Sequence, residues 1–122
     1  MRIFIASADK TFRLALQLLL EDEPGMVVIG MADRSEGLLA QVEASQPEAL
    51  LLDWELAQQA TIDLIGDLRH LERQPKIIAL SINPQVKEIA LAAGACDFIS
   101  KDVPPDELLP ILRKIRSSES TV

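Results

Sequence analysis

PEALLLDWEL (Pro47–Leu56) holds the run that decides how this chain folds: four apolar residues, Ala49 to Leu52, closed by the acid Asp53. A run with no polar alternation does not fit a sheet wetted on one face; it reads as a strand of a parallel sheet, buried on both sides. Runs of the same kind recur on either side of it, at Arg2–Ala6 and Met26–Met31 before, and at Lys76–Ser81 and Cys96–Ser100 after. Amphipathic segments with helical start signals separate them. That alternation predicts a doubly wound α/β domain with helices on both faces of the sheet.

Each start signal has a mechanism. Asp33 and Glu36 have the spacing of a capping box for a helix running toward Ser45. Thr61 is placed to cap a helix bearing Leu64, Ile65, Leu68 and Leu71. Asn83 before Pro84 puts a capping side chain next to a proline at the first helical position, and Gly94 supplies a left-handed stop after Val86, Ile89, Ala90 and Ala93. The last helix is expected from Pro105 to Arg116, kinked or distorted at Pro110, which falls past its first turn. Residues 1–116 then form the domain, and 117–122 a tail or the start of a linker.

With 122 residues, 48% of them hydrophobic and only 3% aromatic, the chain can bury one core built from Leu, Ile, Val and Ala. Twelve Lys and Arg against nineteen Asp and Glu give a net charge of −7, which disfavours direct nucleic-acid binding. The longest apolar stretches, such as Leu14–Leu20, are too short for a membrane span, and the N-terminus lacks a signal peptide. A lone Cys96 fits a reducing compartment, so a cytoplasmic location is expected.

In an open parallel sheet, binding chemistry gathers beyond the carboxyl ends of the strands. Those ends carry Ser7, Ala8 and Asp9 after the first strand, Asp53 after the third, Ser81 after the fourth and Lys101 just after the fifth. An acid, a hydroxyl and a lysine therefore converge from distant parts of the chain. In this order and at these spacings, PEALLLDWEL, KIIALS and GACDFISKD resemble the receiver domain of bacterial two-component response regulators, over essentially the whole chain. The Lys101-Asp102 pair is similar to the NarL/LuxR branch.

The resemblance implies a flavodoxin-like fold: a five-stranded parallel sheet of order 2-1-3-4-5 with five helices. It also implies a signalling role and no enzyme activity. Asp53 falls on the phosphoacceptor, Lys101 on the lysine that offsets phosphoryl charge, Ser81 on the hydroxyl that donates to a phosphoryl oxygen, and Phe98 on the switch aromatic. Ser81 and Phe98 would move together and remodel the face formed by the fourth helix, fifth strand and fifth helix. Implied partners are a sensor histidine kinase, a second copy of the chain meeting it through that face, and a DNA-binding output domain in a longer regulator.

The family carries two acidic residues after the first strand to hold Mg²⁺, and here those positions are Ser7 and Ala8. Mg²⁺ wants oxygen ligands in a near-octahedral shell, for which Asp53 alone is a poor anchor, so Mg²⁺ binding is expected to be weak or absent and phosphorylation impaired. Asp9 and Glu55 are the candidates to stand in as metal ligands. Their plainer roles are a helix cap for Asp9 and a solvated loop position for Glu55. Ala57 replaces a proline common in the family, so a looser loop after Asp53 is expected.

The expected function is thus a degenerate receiver acting through protein–protein contacts, with Asp53 paired to Lys101. The alternative is a conventional receiver phosphorylated on Asp53. A flavodoxin-like small-molecule binder or enzyme is the remaining class, although no glycine-rich phosphate loop and no nucleophile–histidine pair supports it. Trp54 is expected to be partly exposed beside the site, His70 on a solvated surface, Cys96 a small buried hydrophobe, and Glu21–Glu23 a solvated helix end.

Overall fold

The computed structural model describes residues 1–58 and 60–120. Five strands, β1 (Arg2–Ala6), β2 (Val27–Ala32), β3 (Ala49–Asp53), β4 (Lys76–Ser81) and β5 (Asp97–Ser100), form one sheet of order β2-β1-β3-β4-β5. Every neighbouring pair is parallel. The helices are α1 (Lys10–Glu21), α2 (Leu38–Ser45), α3 (Ala60–Leu68), α4 (Val86–Ala93) and α5 (Leu108–Ser120). Short 3-10 turns occupy Trp54–Leu56 and Pro105–Glu107. Among the described residues no helix is long and apolar enough to cross a membrane.

The uninterrupted apolar runs are explained by two cores, one on each face of the sheet. Along β3, Leu50 and Leu52 join the layer containing Leu38 and Val42 of α2, Ile65 and Leu68 of α3, and Ala90 of α4. Ala49 and Leu51 join the other, with Leu16 and Leu20 of α1 and Leu108 and Leu112 of α5. Strand β4 alternates in the same way, Ile77 and Ala79 against Ile78 and Leu80. Since successive strand residues point to opposite faces, Asp53 continues the parity of Ala49 and Leu51 and ends up over the α1/α5 layer.

The edge strand β2 carries a register slip. Ile3 pairs with Val28 while the next residue, Phe4, pairs with Gly30. The Phe4 ring fills the space above Gly30, where a Cβ would lie 2.6 Å from ring Cε2. Phe4 is itself buried, so the ring has little room to yield.

Several helix starts differ from expectation. The Asp33–Glu36 capping box does not form: α2 starts only at Leu38, after Gly37 at φ +78°, with no side-chain cap, and Asp33 instead accepts from Arg34 Nε. Thr61 does not cap α3 but lies within it, buried, its hydroxyl donating to the Trp54 carbonyl at 3.2 Å. Asn83 does not cap the helix: α4 starts at Val86 with Gln85 at its N-cap and no side-chain cap bond, and the Asn83 side chain accepts from the Gln85 amide at 3.0 Å in the turn before it. Gly94, at φ +125°, ends α4 with its amide bonded to the Ala90 and Leu91 carbonyls.

Pro110 does not lie past the first turn of the last helix. Residues Pro105–Glu107 wind as a 3-10 turn and α5 proper begins at Leu108, so the proline is the third residue of its first turn. An amide there has no intrahelical partner to lose. Residues 117–120 continue α5, and residues 121 and 122 of the expected tail lie outside the described residues.

Candidate phosphoacceptor site

Asp53 ends β3 at 2% exposure, and its carboxylate is held on three sides. Lys101 Nζ, 2.8 Å away, and the Ser7 hydroxyl, 2.6 Å away, both donate to Oδ2. The Glu55 amide donates to Oδ1 at 3.2 Å. The Lys101 side chain is only 11% exposed, so this is a desolvated, charge-assisted pair. Its ammonium also stands over the Phe12 ring, 4.8 Å from the centroid, a cation–π contact that helps fix the long side chain.

Ser7 is fully buried between β1 and α1. Its amide donates to the Ala32 carbonyl at 3.0 Å, its carbonyl accepts from Arg13 at 2.6 Å, and its hydroxyl accepts from the Asp9 amide at 3.2 Å while donating to Asp53. Ala8 beside it is exposed. Asp9 is the N-cap of α1, its Oδ1 accepting from the Phe12 amide at 3.1 Å.

On the other side, Ser81 ends β4 and is buried. Its hydroxyl donates to Glu55 Oε1 at 3.2 Å and accepts from the Asn83 amide at 3.0 Å. The Ile82 amide donates to the same Oε1 at 2.9 Å. Glu55 is therefore not a solvated loop residue: its carboxylate folds back onto the end of β4, and its Oε2 is buried with no hydrogen-bond partner among the described residues. Phe98, half-buried in β5, packs against the α2–α4 layer. Asp53, Lys101 and Ser7 thus meet directly, Ser81 joins them through Glu55, and Asp9 is committed to its helix.

Other expectations need correction. Trp54 is buried at 8% exposure, because the 3-10 turn after Asp53 presses the indole into the α2–α4 layer. Cys96 is exposed and precedes β5, its amide tied to the Ile77 carbonyl at 2.8 Å. Desolvation around the thiol, reinforced by the Asp97 charge, pushes its pKa up. Glu23 of the acidic cluster is paired, accepting from Arg113 Nε at 2.8 Å. His70 is exposed, as expected, with Nδ1 2.7 Å from the Gly66 carbonyl. The loop around Ala57 is closed by main-chain bonds, Gln58 to the Trp54 carbonyl at 2.9 Å and Ala60 to the Ala57 carbonyl at 3.0 Å.

Phe12, Arg13 and the Ile82 amide were not singled out from the sequence. The available signal was position: Phe12 and Arg13 lie in the first turn of the helix that follows β1, directly beyond a strand end.

The sheet of order 2-1-3-4-5 thus gathers an acid, a lysine and a hydroxyl at its carboxyl edge, in Asp53, Lys101 and Ser7. Residues 3–113 match the response regulator receiver domain, and the chain belongs to that family of two-component signalling domains. It is 27% identical over 118 residues to an uncharacterised 14.6 kDa protein of Leptolyngbya boryana, covering 93% of this chain and 88% of that one. It is 25% identical over 119 residues to the nitrate/nitrite response regulator protein NarL of Escherichia coli K12, covering 96% of this chain but 55% of NarL. The chain thus spans about half the length of that relative. Among solved structures, the response regulatory domain of mrkE from Klebsiella pneumoniae superposes with a TM-score of 0.87 at 17% identity, covering 100% of both chains. The receiver domain of the regulator NarL from Mycobacterium tuberculosis gives 0.83 at 23% identity, covering 94% of this chain and 95% of that one. Receiver domains generally are not enzymes, bind Mg²⁺ at an acidic pocket and interact with sensor kinases.

Proposed function

We propose that this receiver is atypical: Asp53 is held as a structural ion pair, Mg²⁺-dependent phosphorylation is impaired, and signalling runs through protein–protein contacts. The observation that carries this reading is the Asp53 carboxylate itself, whose Oδ2 takes both Ser7 and Lys101 while Oδ1 takes the Glu55 amide. The donor set does not fit Mg²⁺. Ser7 gives its proton to Asp53, Ala8 has no oxygen in its side chain, Asp9 caps α1, and no three acidic, histidine or cysteine side chains gather to hold a metal among the described residues. With only Lys101 to neutralise charge, a phosphoryl group meets a buried anion it cannot approach without repulsion.

The contact surface we favour is that of α4, β5 and α5, where Ile89 and Leu91 expose apolar side chains on α4. It would pair two copies or dock a kinase, in a cytoplasmic setting. Any DNA-binding output would lie in another domain of a longer regulator. A conventional receiver is the second reading, favoured by Oδ1 of Asp53, whose one bond, at 3.2 Å, is the longest at the carboxylate. Intact mass after incubation with Mg²⁺ and a small acyl phosphate separates them. No adduct is expected; a stoichiometric phosphate adduct that disappears in Asp53→Asn overturns the atypical reading.

A further inference from the structure

The end of β4 has the makings of an anion cradle, and the cradle is filled from within. Two donors of different kinds, the Ser81 hydroxyl and the Ile82 main-chain amide, converge on one oxygen, Glu55 Oε1, at 3.2 and 2.9 Å. The Ser81 oxygen also accepts from the Asn83 amide at 3.0 Å, which occupies a lone pair and leaves its proton to point at Glu55. Ser81 is 1% exposed, so this orientation is fixed by packing as well as by bonding. Glu55 reaches the cradle from the turn after Asp53 while its own amide holds Asp53 Oδ1. One residue therefore contacts both the acceptor and the hydroxyl.

We infer that Glu55 is a resident anion, its carboxylate filling the Ser81–Ile82 donor pair that would otherwise take an oxygen of an incoming phosphate or phosphoryl group. The inference rests on Ser81 being the hydroxyl of the receiver site. A tethered carboxylate competes at the high effective concentration of an intramolecular ligand, so a free anion must displace a group held close to the donors by the chain. It also keeps Ser81 bonded toward the 3-10 turn in the unmodified protein, which adds a second barrier to phosphorylation besides the missing acidic pair.

The test is an amide NMR titration of the full chain with inorganic phosphate in Mg²⁺-free buffer. In the wild type the Ile82 amide proton, bonded to a carboxylate, is expected far downfield and unmoved by phosphate. In Glu55→Ala it should move upfield, then return downfield saturably as phosphate fills the cradle, with a half-saturation about tenfold or more below any wild-type response. Glu55→Gln keeps the side-chain volume should the alanine variant fold poorly, and its Ile82 proton should still move upfield because the acceptor loses its charge. An Ile82 resonance that ignores both substitutions overturns the inference. So does a Glu55→Ala protein that titrates like the wild type or not at all. A phosphate adduct on wild-type Asp53 bears instead on the atypical reading, and leaves the resting role of Glu55 to this titration.

Discussion

Ser7 Oγ stands 2.6 Å from Asp53 Oδ2, a hydroxyl joined to a carboxylate across the gap between β1 and β3. Both groups are buried, so the bond is made without competition from water. Ser7→Ala leaves Asp53 to Lys101 and the Glu55 amide, and should destabilise the fold by about 2 kcal/mol, as for loss of a hydrogen bond to a charged group. Urea unfolding followed by Trp54 fluorescence measures it.

Ser7→Asp combined with Ala8→Asp should have the opposite dependence on metal. Two carboxylates packed against Asp53 repel one another, with Lys101 able to neutralise only one charge, so the variant should be less stable than the wild type in metal-free buffer. Millimolar Mg²⁺ should then raise its Tm and change its Trp54 emission, because a ligand that binds only the folded state stabilises it. The wild-type Tm should not respond. Equal responses in the two proteins would refute the account of the donor set.

Gly30→Ala tests the slip between β1 and β2. The new methyl meets the buried Phe4 ring, and overpacking there should cost about 1–3 kcal/mol. Phe4→Leu in the same chain should recover part of that loss, which a double-mutant cycle in denaturant resolves.

Glu23 and Arg113 tie the turn after α1 to α5, and the hydrogen bond from Arg113 holds the Glu23 carboxyl below its ordinary 4.5. A depressed folded pKa means the stabilisation is present above the ordinary value and is lost as pH falls through the folded one. Stabilities of wild type and Glu23→Gln should therefore converge as pH drops from about 6 to about 3, with the wild type ahead at the upper end. A gap that stays constant across this range contradicts the pairing.

The strands were legible because burial on both faces is written directly into their composition. Ala49–Asp53 and Lys76–Ser81 match residue for residue, while β2 and β5 start one residue late. Ser81, Asp53 and Lys101 could be placed at one edge because strand ends in a parallel sheet share a side. Helix starts were less legible, since Gly37 and Thr61 answer to tertiary packing: one lets the chain turn at positive φ, the other spends its hydroxyl on Trp54. The start of the last helix was misplaced, because three residues of 3-10 turn precede it and put Pro110 in its first turn. Glu55 was the least legible, since its partners lie 26 and 27 residues away and only the closed sheet brings them within reach.

The sheet separates the two apolar layers, and the alternation of strand residues sends Asp53 toward one and Ser81 toward the other. Glu55 spans that partition, main chain to the acid and side chain to the hydroxyl. The acid on one side of the sheet and the hydroxyl on the other are thus linked at the carboxyl edge through one residue. Removing that side chain should break the link: Ser7→Ala and Ser81→Ala should be energetically coupled in the wild type and additive once Glu55 is alanine.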